Sequence, residues 1–184
     1  KLVDTESLLI LLVIPQNRFC EQQLCDLKTV FDSTSVKSVI LSKSGLEAVG
    51  ERKTRLTPDG ILVDWDKRFL SNKKFDAVVV VGGKGAKKSI WDDPILPQIL
   101  TDHYRAGKVL GALGLSVVSL ARAGLLAGLD TSAPNHESCT QELKTAGAFI
   151  VDEPMTFSNQ IVTARDDSSG KLLGKKILDL VGFS

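Results

Sequence analysis

The chain has 184 residues, 43% of them hydrophobic and 24% charged, and its 23 Lys and Arg against 22 Asp and Glu leave a net charge of +1. That length suits one domain with a real core, and the composition excludes a disordered tail, a collagen-like rod and a disulfide-stapled miniprotein. The balanced charge and the 5% aromatic content argue against a nucleic-acid binder, and the longest apolar run, Leu8–Ile14, is far short of the ~20 residues of a membrane helix.

In chain order, Leu8–Ile14 reads as a strand buried on both faces. No cationic segment precedes it and no small-residue cleavage site follows, so it does not read as a signal peptide. Glu21–Phe31 places Leu24, Leu27, Val30 and Phe31 at helical spacing, and Val36–Leu41 is a second short strand. Gly45–Phe69, with Pro58, Gly60 and brief alternations such as Ile61–Val63, reads as a small hairpin excursion. Ala77–Val81 is a buried strand running into Gly82-Gly83. Pro94–Arg105 follows as a helix, with Ile95, Ile99, Leu100 and Tyr104 as its expected inner face. Val109–Leu113 is another aliphatic strand, Ser116–Leu126 a helix closed by Gly128, and Glu137–Ala146 an amphipathic helix stopped by Gly147. Phe149–Val151, Met155–Phe157 and Gln160–Thr163 are short strands, with a tight turn expected at Ser158-Asn159. Lys171–Val181 is a closing helix.

Strands alternating with helices over short connections predict a single α/β domain, spanning residues 1–184, with a mostly parallel sheet and helices on both faces. Ligands in such open sheets bind beyond the carboxyl ends of the strands. The segments to search are therefore Pro15–Cys20, Gly82–Lys88 and Gly114–Ser116.

The glycine-rich stretch from Gly82 to Ser89 fails as a phosphate loop, because Lys87 stands where GxxxxGK[ST] needs its second glycine. A GxGxxG reading from Gly83 fails at Lys88. What remains is a basic turn in which two glycines after a strand expose backbone N–H groups to an oxyanion. The strand-to-helix turn Gly114-Leu115-Ser116 has the form of a nucleophile elbow, but Gly114 has no side chain with which to attack. Ser116 reads as a helix N-cap rather than a nucleophile. His103 falls in a helical pattern beside Asp102 and Arg105, so a solvated face is expected, whereas His136 lies in the loop Pro134-Asn135-His136-Glu137 before a helix. Two separated histidines without HExxH support no metal site. Cys20, Cys25 and Cys139 show no CxxC spacing and read as ordinary reduced thiols, which suits a cytoplasmic protein.

Several stretches in the same order carry a family resemblance: Phe75 to Gly83, Gly107 to Ser116, Leu120 to Gly128, and Glu142 to Ala148 followed by Asp152-Glu153-Pro154. Together they resemble the ThiJ/PfpI family of the class I glutamine-amidotransferase-like superfamily, over roughly Leu8 to Val181. The resemblance implies a flavodoxin-like three-layer sandwich with a small hairpin insertion, and a homodimer. It also implies glyoxalase, deglycase or protease-like chemistry on a cysteine.

This sequence departs from that pattern where the chemistry sits. The family's nucleophilic cysteine falls on Gly114, its frequent histidine neighbour on Leu115, and the glutamate that bonds the sulfur on Gln23 within Phe19-Cys20-Glu21-Gln22-Gln23-Leu24. Ala133 stands where some members carry a further histidine. Thiolate chemistry needs a thiol. The expectation is therefore a catalytically inactive homologue with a vestigial pocket of Gln23, Gly82, Gly83, Gly114 and Leu115. Such a protein acts by binding a small polar metabolite or by dimerising, without cofactor or metal. The alternatives are a lyase or hydrolase on small carbonyl compounds or peptides, using a relocated Ser116, Cys139, Cys20 or His136, and a thiol redox sensor.

Overall fold

The computed structural model describes residues 8–69 and 73–182. Its centre is a seven-stranded sheet. β1 (Leu9–Val13) pairs in parallel with β3 (Lys37–Ser42) on one side and β7 (Ala77–Val80) on the other. β8 (Val109–Leu113) and β12 (Ile161–Ala164) continue the parallel run beyond β7. β11 (Met155–Ser158) closes that edge antiparallel, and β6 (Gly60–Ile61) closes the other edge beside β3.

The aliphatic strands fill both faces. Leu11, Val13, Val78, Val80, Leu110 and Ala112 point to one side, where they join Leu96, Ile99, Leu100, Val117, Val118 and Leu143. Those partners come from α3 (Leu96–Arg105), α4 (Val117–Arg122) and α5 (Glu137–Thr145), and the single-turn α2 (Ala86–Ser89) adds Ala86 to the same layer. Ile10, Leu12, Ala77, Val79, Val109 and Leu113 point to the other side, against α1 (Glu21–Asp32) and α6 (Gly170–Val181). This period-2 division is why the strand sequences read as unbroken apolar runs. Gly111 lets α6 lie close, since a Cβ there would stand 3.1 Å from Ile177 Cδ1.

The chain after β3 departs partly from a simple hairpin. β4 (Ala48–Gly50) and β5 (Arg55–Leu56) do form one, joined by β2 (Asn17–Phe19), which the sequence reading left as loop. The remainder rejoins the main sheet as β6 and continues as a 3-10 turn, Leu62–Arg68. A further strand, β9 (Asp130–Thr131), pairs with β10 (Phe149–Ile150) in a separate ladder.

Two expectations about helices are corrected. The buried stripe of α3 is Leu96, Ile99, Leu100 and His103, while Tyr104 is exposed. His103 lies one turn beyond Leu100 on that stripe, so it is fully buried rather than solvated. α4 ends at Arg122, not at Leu126, because Gly124 turns the chain with φ +76.

Candidate active site

The order β12-β8-β7-β1-β3 reverses direction around β1 and β7, so the segments after these strands open a crevice at their carboxyl ends. Residues 15–20, 82–85 and 114–116 meet there. Cys20 N–H donates to the Gly82 carbonyl at 2.9 Å, and Gly85 N–H donates to the Arg18 carbonyl at 3.2 Å. The approach is close enough to exclude side chains: a Cβ on Gly83 would run into the Arg18 carbonyl oxygen and one on Gly85 into that of Asn17. Glycine at 83 is also required by its φ of +130.

Gln23 is the polar centre of this crevice, only 1% exposed although it lies in the first turn of α1. Its Oε1 accepts from Gly82 N–H at 2.7 Å and its Nε2 donates to Asp167 Oδ1 at 3.4 Å. Only this orientation of the amide satisfies both an N–H donor and a carboxylate acceptor. A glutamate here would need a proton to face Asp167. Gly114 follows β8 directly with φ +57, and a Cβ on it would stand 3.2 Å from Gln23 Nε2. Gln23, Gly82, Gly83 and Gly114 are thus one neighbourhood. Leu115 is partly buried against the layer of α3, α4 and α5, and its carbonyl accepts from Trp91 Nε1 at 2.8 Å.

The other side chains singled out from the sequence, Ser116, His136, Cys139 and Cys20, are each buried or half-buried. Ser116 is fully buried and donates to the Val81 carbonyl at 2.7 Å, tying the end of β7 to the turn. It begins α4, but its side chain does not cap it. His136 is the N-cap of α5, its Nδ1 accepting from Cys139 N–H at 3.3 Å. Cys139 lies fully buried in the core, and burial pushes its thiol up to about 12. Cys20, the N-cap residue of α1, is 2% exposed. Its thiol too is pushed up to about 12, chiefly by burial, with Asp167 and Glu51 adding to the effect against the Gln23 backbone hydrogen bond. Neither buried sulfur is a thiolate at neutral pH.

Two residues of the crevice escaped the sequence reading. Glu51, just after β4, accepts from Lys84 N–H at 2.8 Å. Asp167 sits in the turn after β12, which Asp166 holds by accepting from Ser168 Oγ at 2.7 Å and Ser169 Oγ at 2.9 Å. Those hydroxyl bonds, working against burial, keep the Asp166 carboxyl below its ordinary range. No motif marks either residue, because the tertiary fold alone brings their segments to Cys20.

Residues 9–180 match the DJ-1/PfpI family. The chain belongs to that family. An uncharacterized protein of Methanocaldococcus jannaschii is 29% identical over 94% of this chain and 82% of its own length. The glutathione-independent glyoxalase DJR-1.2 of Caenorhabditis elegans is 24% identical over 77% of this chain and 72% of its own. Among solved structures, a ThiJ/PfpI domain protein from Brachyspira murdochii is similar with a TM-score of 0.86 at 24% identity, covering 96% of this chain and 97% of that one. DJ-1beta of Drosophila melanogaster is similar with a TM-score of 0.81 at 19% identity, covering 96% and 92%. At these identities the structural likeness carries the fold: the mostly parallel sheet between helical layers is the flavodoxin-like architecture of the DJ-1/PfpI family. Among the described residues, no helix is long and apolar enough to cross a membrane.

Proposed function

We propose that this DJ-1/PfpI protein is a catalytically inactive homologue that acts by binding a small polar ligand at the Gln23–Gly114 crevice, as a homodimer. One observation carries the reading: Gly114, in a strand-to-helix turn at φ +57, offers no nucleophile, and the polar group that a side chain there would meet, 3.2 Å from an added Cβ, is an amide rather than a carboxylate. A thiolate needs both a sulfur and groups that tune it, and neither stands at this turn. The half-buried backbone at Gly83 and the Gln23 amide suit a neutral or anionic polar ligand. The buried, protonated sulfurs of Cys20 and Cys139 weigh against a relocated thiol.

The test is turnover of methylglyoxal, with a short peptide alongside, by the native chain and by a Gly114→Cys/Gln23→Glu variant. The turn already holds the left-handed backbone that an elbow cysteine adopts, and the side chain facing the new Cβ is the flexible end of residue 23. We expect no turnover above buffer for the native chain and measurable turnover for the variant. Equal turnover by both would overturn the reading. Sedimentation of the native chain reads the dimer, and a single monomeric species would remove that part.

A further inference from the structure

Three residues that share no sequence motif converge beside Gln23: Cys20 at the start of α1, Glu51 after β4 and Asp167 after β12. The Cys20 Sγ and one carboxylate oxygen from each acid lie within 4.8 Å of one another. The donors differ in kind and in depth. The sulfur belongs to a residue 2% exposed. Glu51 is half-buried and Asp167 is exposed, so the cluster has a soft donor at its floor and an anionic mouth open to solvent.

Each acid is oriented from behind by a neutral group outside the cluster. Lys84 N–H holds Glu51 Oε1 at 2.8 Å, and the Gln23 side-chain amide holds Asp167 Oδ1 at 3.4 Å. Outer groups of this sort fix ligand orientation in metal centres. Among the described residues, no Lys, Arg or His side chain forms an ion pair with Glu51 or Asp167. Two carboxylates are therefore held against a buried sulfur, with no ion pair to either acid among the described residues.

We propose that Cys20, Glu51 and Asp167 form a binding site for a divalent cation of the zinc class. A sulfur with two oxygens suits a borderline-soft ion, whereas magnesium and calcium take oxygen alone. Three protein ligands leave a fourth tetrahedral position for water or a ligand, the arrangement of an open zinc site. On binding, the Cys20 thiol gives its proton to solvent and the sulfur bonds the ion as a thiolate. The inference goes beyond the binding reading of this crevice: the cation site lies beside Gln23, is distinct from the neutral or anionic ligand proposed there, and does not require the chemistry of residue 114.

The experiment titrates metal-stripped native chain with Zn2+ by calorimetry, and with Co2+ by the absorption band that only a thiolate–cobalt bond produces. Cys20→Ser, Asp167→Asn and Cys25→Ser are compared, each checked by circular dichroism for an intact fold. Cys25 is the exposed thiol and serves as the control. We expect one ion per native chain, unchanged binding in Cys25→Ser, and a loss of affinity of about tenfold or more in Asp167→Asn. The cobalt–thiolate band should vanish in Cys20→Ser. No saturable binding, binding unaffected by both cluster variants, or binding lost in Cys25→Ser would each overturn the proposal. Absence of zinc binding sinks this inference alone, whereas turnover of methylglyoxal by the native chain sinks the inactive-homologue reading and leaves the zinc stoichiometry as measured.

Discussion

His103 is the residue whose surroundings most repay attention. Its Nδ1 lies 2.6 Å from the Ile99 carbonyl and its Nε2 accepts from Phe75 N–H at 3.2 Å. These partners assign the proton to Nδ1 and leave no room for a second on Nε2. Trp65 and Phe75 pack beside the ring, with centroids at 5.1 and 6.0 Å. Burial pushes the imidazole below its ordinary value, with Lys74 and Lys108 acting the same way against the Ile99 hydrogen bond and Asp102. The sign then follows. The unfolded chain takes up a proton as pH falls through about 6.5, while the folded chain resists it, so stability is full above that pH and declines below it. Denaturant midpoints at pH 7.5 and pH 5.5 should show this loss in the native chain. His103→Gln should flatten the difference even if it lowers both midpoints; an unchanged difference would show that other groups set it.

At the level of elements, Arg122 joins the short α4 to α5. Its Nη2 and Nε meet the two Glu142 carboxylate oxygens at 2.7 and 3.1 Å, while Nη1 reaches the Trp91 carbonyl at 2.9 Å and Asp92. Its guanidinium also lies over the Trp91 ring, 5.7 Å from the centroid. The hydrogen bonds to Glu142 and Asp92 hold the charged form tightly and raise its pKa. The side chain is 33% exposed, so screening trims the benefit. Arg122→Ala should cost about 1 kcal/mol by denaturant titration, and Arg122→Lys should not restore it, because an ammonium cannot fork onto a carboxylate. Full recovery by lysine would mean that charge alone matters there.

For the whole molecule, the large sheet separates two apolar layers, and β1, β3, β7, β8 and β12 each contribute side chains to both. We infer one folding unit from this sharing. Trp91 belongs to the layer under α3, α4 and α5, and Trp65 packs against it, so tryptophan fluorescence reports that layer. Ile177, a fully buried residue of α6, belongs to the opposite layer. Ile177→Ala should destabilise by about 3 kcal/mol. If the layers are coupled through the sheet, the urea midpoint should fall equally by fluorescence and by circular dichroism. Separate midpoints would show that the layers unfold apart.

The sequence by itself determined the α/β class, the strands of the parallel core and their glycine turns, since an aliphatic run ended by Gly82-Gly83 or Gly114 is a local signal of burial and chain reversal. The resemblance also singled out Gln23 and Gly114, and the fold puts them side by side. The sequence could not mark β2 or β9, strands of three and two residues, too short for any periodicity. It placed His103 on a solvated face, although a polar residue on an apolar stripe is hidden only when its partners, here Ile99 and Phe75, are in place. Above all, the gathering of Cys20, Glu51 and Asp167 was decided by tertiary structure. Their segments are adjacent only because the sheet brings the ends of β1 and β12 and the β4–β5 hairpin to one rim, a distance no local pattern encodes.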